Sequence, residues 1–222
     1  MTQNLALFDL DNTLLAGDSD YSWSLFLIGE GLLDEKDHHD RNEQFYQDYH
    51  NGCLDIFAFL KFQLQPLSQH PKVFLDELHL KYMHKVIRPM MTDKSQALVS
   101  QHKANGDLCI IITATNSFVT KPIATAFGIE HLIGTDPEMV GGKFTGNVSG
   151  EPSFRAGKVS RLNTWLAERG QQLESFETSC FYSDSHNDLP LMKLVTNPVA
   201  VDADETLMAY AKQQGWPRIS LR

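Results

Sequence analysis

The chain has 222 residues, 42% hydrophobic and 21% charged, with a formal net charge of −9. That length buries a full core and the composition is ordinary for a globular protein, while the acidic balance excludes a large nucleic-acid-binding face. Cys53, Cys109 and Cys180 are far apart and form no CxxC pair, no signal segment precedes the first strand, and no apolar stretch approaches a membrane span, so a reducing cytoplasm is the expected setting.

Leu5-Ala6-Leu7-Phe8 reads as a short strand buried on both faces, because every position is apolar and turn-forming residues follow. From Gly17 to Pro89 the pattern changes. Aromatic residues and leucines recur at helical spacing among polar ones, as in Phe57, Leu60 and Leu64, and no β run interrupts them, so residues 17–89 read as a helical insert. Beyond Thr92, helix and strand signals alternate. A helix ends at Asn105-Gly106, a strand covers Leu108 to Ile112, and a helix runs toward Phe127 with Gly128 as its stop and Pro122 in its first turn or at a kink. A strand near His131–Ile133, a hairpin about Gly141-Gly142, an amphipathic helix through Val159, Leu162, Trp165 and Leu166, and strands at Cys180–Ser183 and Val199–Val201 follow. Such alternation predicts an α/β fold, a parallel sheet covered by helices on both faces, formed by residues 1–16 and 90–222.

Chemistry concentrates where these strands end. Asp9-Leu10-Asp11-Asn12-Thr13 follows the first strand, Thr113 follows Ile110-Ile111-Ile112, Lys158 opens the amphipathic helix, and Asp184-Ser185-His186-Asn187-Asp188 follows Cys180-Phe181-Tyr182-Ser183. In an open parallel sheet, ligands bind beyond the carboxyl ends of strands where the strand order reverses. If the first and fourth strands are neighbours there, Asp9, Asp11, Asp184 and Asp188 converge and repel one another unless a cation sits among them. Mg²⁺ suits such hard oxygen donors, and the lack of His or Cys in the set disfavours zinc. Taken singly, Asp9-Leu10-Asp11 also fits an Asx turn and the Asp184 segment fits a helix cap; their joint order carries the expectation.

Together these segments resemble the four signature motifs of the haloacid dehalogenase-like phosphohydrolases, in the phosphoserine-phosphatase-like branch with a helical cap inserted between the first and second motifs. The resemblance covers essentially the whole chain and implies a three-layer Rossmann-like core. It implies that Asp9 attacks phosphorus and becomes an aspartyl-phosphate, and that Asp11 is the acid for the leaving alkoxide and then the base for water. It further implies that Thr113, helped by N–H groups of the next helix, and Lys158 hold the phosphoryl group. Asp9, Asp11 (through its carbonyl) and Asp184 would be Mg²⁺ ligands, Asp188 would act through water or Lys158, Asn187 would contact phosphate or its surroundings, and Arg155 would supply a further positive contact or stand equally well on the surface. An acid at position 11 separates phosphate-ester hydrolysis from the dehalogenase and cation-pumping branches. Phosphoserine phosphatases place a glutamate shortly after the first motif to hold the substrate amine; here Asp18 stands in that region, with Tyr21 and Trp23 following as faces for an imidazole or organic cation, while Trp23 as core of the insert and Asp18 as a helix N-cap fit the same residues equally well. Asp-Leu-Asp-Asn-Thr-Leu-Leu followed by Gly-Asp-Ser-Asp also resembles bacterial histidinol-phosphatase-like sequences. The expected substrate is therefore a small amine-bearing phosphate ester, histidinol phosphate ahead of phosphoserine. Phosphotransfer to an alcohol and a non-catalytic phosphate-binding module remain open on the same fold. His38-His39 reads as a solvated helix face.

Overall fold

The computed structural model describes residues 3–222, the side chain of residue 37 excepted. Strand β1 (Leu5–Phe8) is followed by a turn in which Leu15 N–H donates to the Leu10 carbonyl at 2.9 Å and Asn12 takes a left-handed φ of 55°. Asn tolerates that conformation better than most residues. The chain then runs through helices α1 (Ser19–Gly29), α2 (Glu35–His50), α3 (Ile56–Ser68), α4 (Lys72–Tyr82) and the short α5 (Arg88–Met90). It returns beside its point of departure: Ala16 N–H donates to the Met90 carbonyl at 2.8 Å, and Leu15 bridges Met91.

Helix α6 (Asp93–Ala104), strand β2 (Leu108–Asn116), helix α7 (Ser117–Ala126), strands β3 (His131–Val140) and β4 (Lys143–Ser149), helix α8 (Ala156–Ala167), strand β5 (Ser179–Ser183), the short α9 (Leu189–Met192), strand β6 (Asn197–Val201), helix α10 (Glu205–Gln214) and strand β7 (Arg218–Ile219) complete the chain. Among the described residues the strands form one sheet in the order β4-β3-β2-β1-β5-β6-β7, parallel except for the β3–β4 pair. The hairpin at Gly141-Gly142 is the turn of that antiparallel pair, and β3 continues into it from its parallel segment. Pro122 falls in the second turn of α7, where it forfeits the bond to the Phe118 carbonyl.

Residues alternate between two cores. Ala6, Phe8, Cys109 and Ile111 face one core, with α1, α3, α4, α6 and α7; Leu5, Leu7, Ile110 and Ile112 face the other, with α8, α9 and α10. This period-two alternation with both faces covered explains why the strands read as continuous apolar runs. The fold is therefore the α/β, Rossmann-like architecture expected from the strand–helix alternation. Among the described residues no helix is long and apolar enough to cross a membrane.

Candidate active site

Strand β1 lies between β2 and β5, with Phe8 paired to Ile111 on one side and to Tyr182 on the other. Strand β1 ends at Phe8 and β5 at Ser183, while β2 runs on past the expected end at Ile112 to Asn116, so Asp9 and Asp184 leave their strands and Thr113 projects from within β2 at the point where strand order reverses. All three line one pocket with Asp11, Lys158 and Asp188. Lys158 reaches it from the first turn of α8; its Nζ donates to Asp9 Oδ1 at 2.8 Å and to Asp188 Oδ2 at 2.7 Å. Ser183 Oγ donates to the same Asp188 oxygen at 2.7 Å. Thr13, to which the motif reading assigned no role, ties the two acid turns together. Its hydroxyl lies 3.0 Å from Asp184 Oδ1 and 3.4 Å from Asp9 Oδ2, and it accepts the Asp184 N–H at 3.0 Å.

Asp11 is held separately, accepting from Ser19 N–H at 2.6 Å and from the Thr115 hydroxyl at 2.7 Å. Asp18 lines the pocket as the N-cap of α1, with one oxygen taking the N–H groups of Asp20 and Tyr21. Asp20, which the Gly-Asp-Ser-Asp run contains without a role of its own, lines it too; one of its oxygens receives the Asn116 amide at 3.2 Å and the other is buried without a partner among the described residues. Thr113 Oγ1 accepts the Thr115 N–H, and the start of α7 is capped by the Asn116 side chain rather than left open. Asn187 lines the pocket, whereas Arg155 stands outside its lining and donates to Asn187 Oδ1 at 2.8 Å and to the Gly52 carbonyl. Tyr49, from α2, donates to Ser185 Oγ at 2.9 Å, so the helical insert holds the acid-rich turn after β5 directly through residue 49 and, by way of Arg155, through residue 52. Trp23 stacks within the apolar core on Phe26 and His79 and does not reach the pocket. His38 is buried against Phe62, at 4.2 Å between ring centroids, and corrects the solvated face expected for His38-His39; His39 alone is exposed.

The charge balance is lopsided. Asp9, Asp11, Asp18, Asp20, Asp184 and Asp188 line the pocket with Asp204 beside them, and Lys158 is the one Lys or Arg among its described lining residues. Burial pushes the carboxyls above their ordinary range, Asp11 and Asp188 to about 6, while Lys158 opposes the rise at Asp9 and Asp188. Burial also works against the Lys158 charge, but Asp188 and Asp9 outweigh it and strengthen its hold on the proton. Such a donor set fits a hard divalent cation. No three His, Cys, Asp or Glu side chains form a cage among the described residues, so a main-chain carbonyl, water and substrate would have to complete the coordination. That incomplete cage is what Mg²⁺ accepts, since it keeps several waters and bridges to phosphate.

The approach to Lys158 is sterically exact at Gly157, where an added Cβ would lie 2.1 Å from the Pro152 carbonyl oxygen. Gly157→Ala should therefore destabilise the protein by about 1–3 kcal/mol through overpacking against backbone. A chemical-denaturation midpoint matching wild type would show that the Pro152 turn yields freely.

Comparison with known proteins agrees with this architecture. Residues 6–193 match the family model described as haloacid dehalogenase-like hydrolase. The chain is 48% identical over 221 residues to the histidinol-phosphatase of Neisseria meningitidis serogroup C (strain 8013), covering 99% of this chain and 100% of that protein. It is 28% identical to the phosphoserine phosphatase SerB1 of Mycobacterium tuberculosis (strain ATCC 25618 / H37Rv), covering 95% of this chain and 68% of that one. Among solved structures, a protein of unknown function from Bordetella pertussis Tohama I superposes with a TM-score of 0.95 at 47% identity, covering 100% of both chains. A substrate-bound phosphoserine phosphatase superposes with a TM-score of 0.70 at 17% identity, covering 100% of this chain and 94% of that one, a likeness of fold alone.

Proposed function

The chain belongs to the haloacid dehalogenase-like hydrolase family, and from that premise we propose that it is a Mg²⁺-dependent phosphatase acting on histidinol phosphate through an aspartyl-phosphate at Asp9. Residues 17–89 would form the cap over the reacting group. Mg²⁺, held by Asp9, Asp184 and the Asp11 carbonyl, would neutralise charge on the phosphoryl oxygens. Lys158 orients Asp9 by holding Oδ1, leaving Oδ2 on the Thr13 side to attack phosphorus. As the Asp9–phosphorus bond forms, the bond to the ester oxygen breaks and Asp11 gives that oxygen its proton. Burial lifts Asp11 to about 6, so it can hold a proton near neutrality and release it. Water then attacks phosphorus, its proton passes to Asp11, and Asp9 is freed as inorganic phosphate leaves. Thr113 and Asn187 flank the transferring group, with Arg155 acting on it only through Asn187.

One observation carries the substrate preference. Apart from Lys158, which is already paired to two aspartates, no Lys or Arg lines the pocket among the described residues. A phosphoserine carboxylate would enter an acidic chamber without a partner, whereas an ammonium or imidazole group meets carboxylates and aromatic faces. The name of the 48%-identical Neisseria relative supports the same choice. In a panel of histidinol phosphate, phosphoserine and p-nitrophenyl phosphate, kcat/KM for the first is expected to exceed that for phosphoserine by on the order of 10²-fold. Phosphate release should cease in excess chelator and return with Mg²⁺. Equal rates on the three esters would remove the substrate assignment, and full activity in chelator would remove the metal.

A further inference from the structure

The cap side of the pocket contains a buried polar relay that the chemistry at phosphorus does not use. Ser24 Oγ on α1 donates to Gln63 Oε1 on α3 at 2.8 Å, and Gln63 Nε2 donates to Asn42 Oδ1 on α2 at 3.3 Å. The three side chains are 2%, 3% and 4% exposed, yet Gln63 and Asn42 both line the pocket. Three buried polar residues on three helices carry a desolvation cost unless their last hydrogen-bonding group also meets a partner. The bond directions determine what that last group is. With both amide oxygens occupied from behind, Asn42 faces the pocket with its Nδ2 donors, which donate to no other described residue. Four aromatic residues line the same pocket: Phe45 and Phe59, packed edge to face at 5.4 Å, and Tyr21 and Tyr46, 6.4 Å apart. Asp20, which also lines the pocket, is 3% exposed and keeps one carboxylate oxygen without a partner among the described residues.

Resting on the histidinol phosphate reading, we propose that Asn42, fixed by Gln63 and Ser24, is a specificity-determining residue that donates a hydrogen bond to the acceptor nitrogen of a planar heterocycle, while Asp20 accepts from the same leaving group's amine. A flat ring with one acceptor nitrogen can lie against these aromatic residues and end on an amide donor; a carboxylate-bearing leaving group gains the donor but meets Asp20. Gln63 and Ser24 act as positioning residues, since with Gln63 held by the Ser24 hydroxyl, reversing Asn42 alone would place two amide N–H groups face to face.

The test compares histidinol phosphate with 2-aminoethyl phosphate, which keeps the amine and lacks the ring. The readout is the ratio of their kcat/KM values in wild type, Asn42→Leu, Ser24→Ala and Asp20→Asn. Asn42→Leu is expected to reduce the ratio about tenfold, mostly through KM, because one hydrogen bond in a dry pocket is lost. Ser24→Ala removes only the far end of the relay and should reduce it about threefold. Asp20→Asn should raise KM for both amine-bearing esters relative to p-nitrophenyl phosphate. If wild type itself does not favour the ring-bearing ester, the histidinol phosphate reading fails. If wild type favours it and both Asn42→Leu and Ser24→Ala keep the full ratio, the relay has no part in recognition. Should Asn42→Leu not fold, the Ser24→Ala ratio decides alone.

Discussion

Asp9→Asn is expected to lower kcat by about 10⁴-fold or more, with little change in fold or in thermal midpoint. The amide keeps the side chain's volume and can still face Lys158 and Thr13, but it offers phosphorus no anionic oxygen. Loss of a nucleophile is usually of this size, because what remains is binding and electrostatic stabilisation without the covalent step. The geometry adds a more specific expectation. Lys158 Nζ donates to Asp9 Oδ1 at 2.8 Å and to Asp188 at 2.7 Å, so in the variant it keeps one strong partner and stays in place. Steady-state release of phosphate from histidinol phosphate, together with mass spectrometry of acid-quenched protein, checks both halves. Wild type should show a phosphate adduct on the peptide containing Asp9 and the variant none. Hydrolysis within tenfold of wild type would falsify the assignment of Asp9 as nucleophile.

The parts of this site that were legible in the sequence share a physical cause. Strands buried on both faces admit almost nothing but apolar residues, so Asp9 and Asp184 stand out as the first carboxylates where Phe8 and Ser183 reach the sheet edge. The sheet order then makes those two ends neighbours, which a one-dimensional pattern can suggest only conditionally. Thr13 was visible as part of its segment, but its bridging of Asp9 and Asp184 depends on a turn with a left-handed Asn12, and hydrophobic periodicity says nothing about that. Arg155 could be read either as a contact near phosphate or as a surface residue; it takes a positive φ of 51° at the start of α8 and donates both to Asn187 at the pocket and to Gly52, 103 residues away, a long-range pairing that no local pattern announces. Recognition residues in the helical insert were the least legible. Helix α2 is polar along most of its length, so its sequence does not declare which face turns inward. Asn42 becomes meaningful only beside Gln63 from α3, and His38 becomes core only beside Phe62. Local pattern thus exposes the chemistry held by the sheet and conceals the specificity held between helices, because the former sits at ends of obligatorily apolar runs and the latter in pairings between polar ones.

Lys158→Met should produce the largest loss of stability among the substitutions considered. Lys158, Asp9 and Asp188 are 3%, 7% and 3% exposed, and among the described residues the ammonium is the sole positive charge bonded to either acid. Methionine retains most of the stem's packing, so the change isolates the charge. Removing one partner of a buried ion pair typically costs about 3–5 kcal/mol, since the remaining carboxylates are left desolvated and uncompensated. They can escape only by taking up protons, which gives the deficit a definite pH dependence. Burial already lifts Asp188 to about 6 and raises Asp9, with Lys158 opposing the rise; without the lysine both hold their protons more tightly still. Carboxyls that bind protons more strongly in the folded than in the unfolded chain favour folding at acid pH, and that contribution is lost as pH rises through the folded value. The variant should therefore lie well below wild type at pH 8 and close most of the deficit as pH falls toward about 6, in chelator so that no cation substitutes for the lysine. Urea denaturation at several pH values, each against wild type, measures this directly. A deficit that is small at pH 8, or the same from pH 5 to pH 8, would mean that Lys158 is not what balances the buried acids, and the electrostatic basis proposed for holding Asp9 ready would have to be sought elsewhere in the pocket.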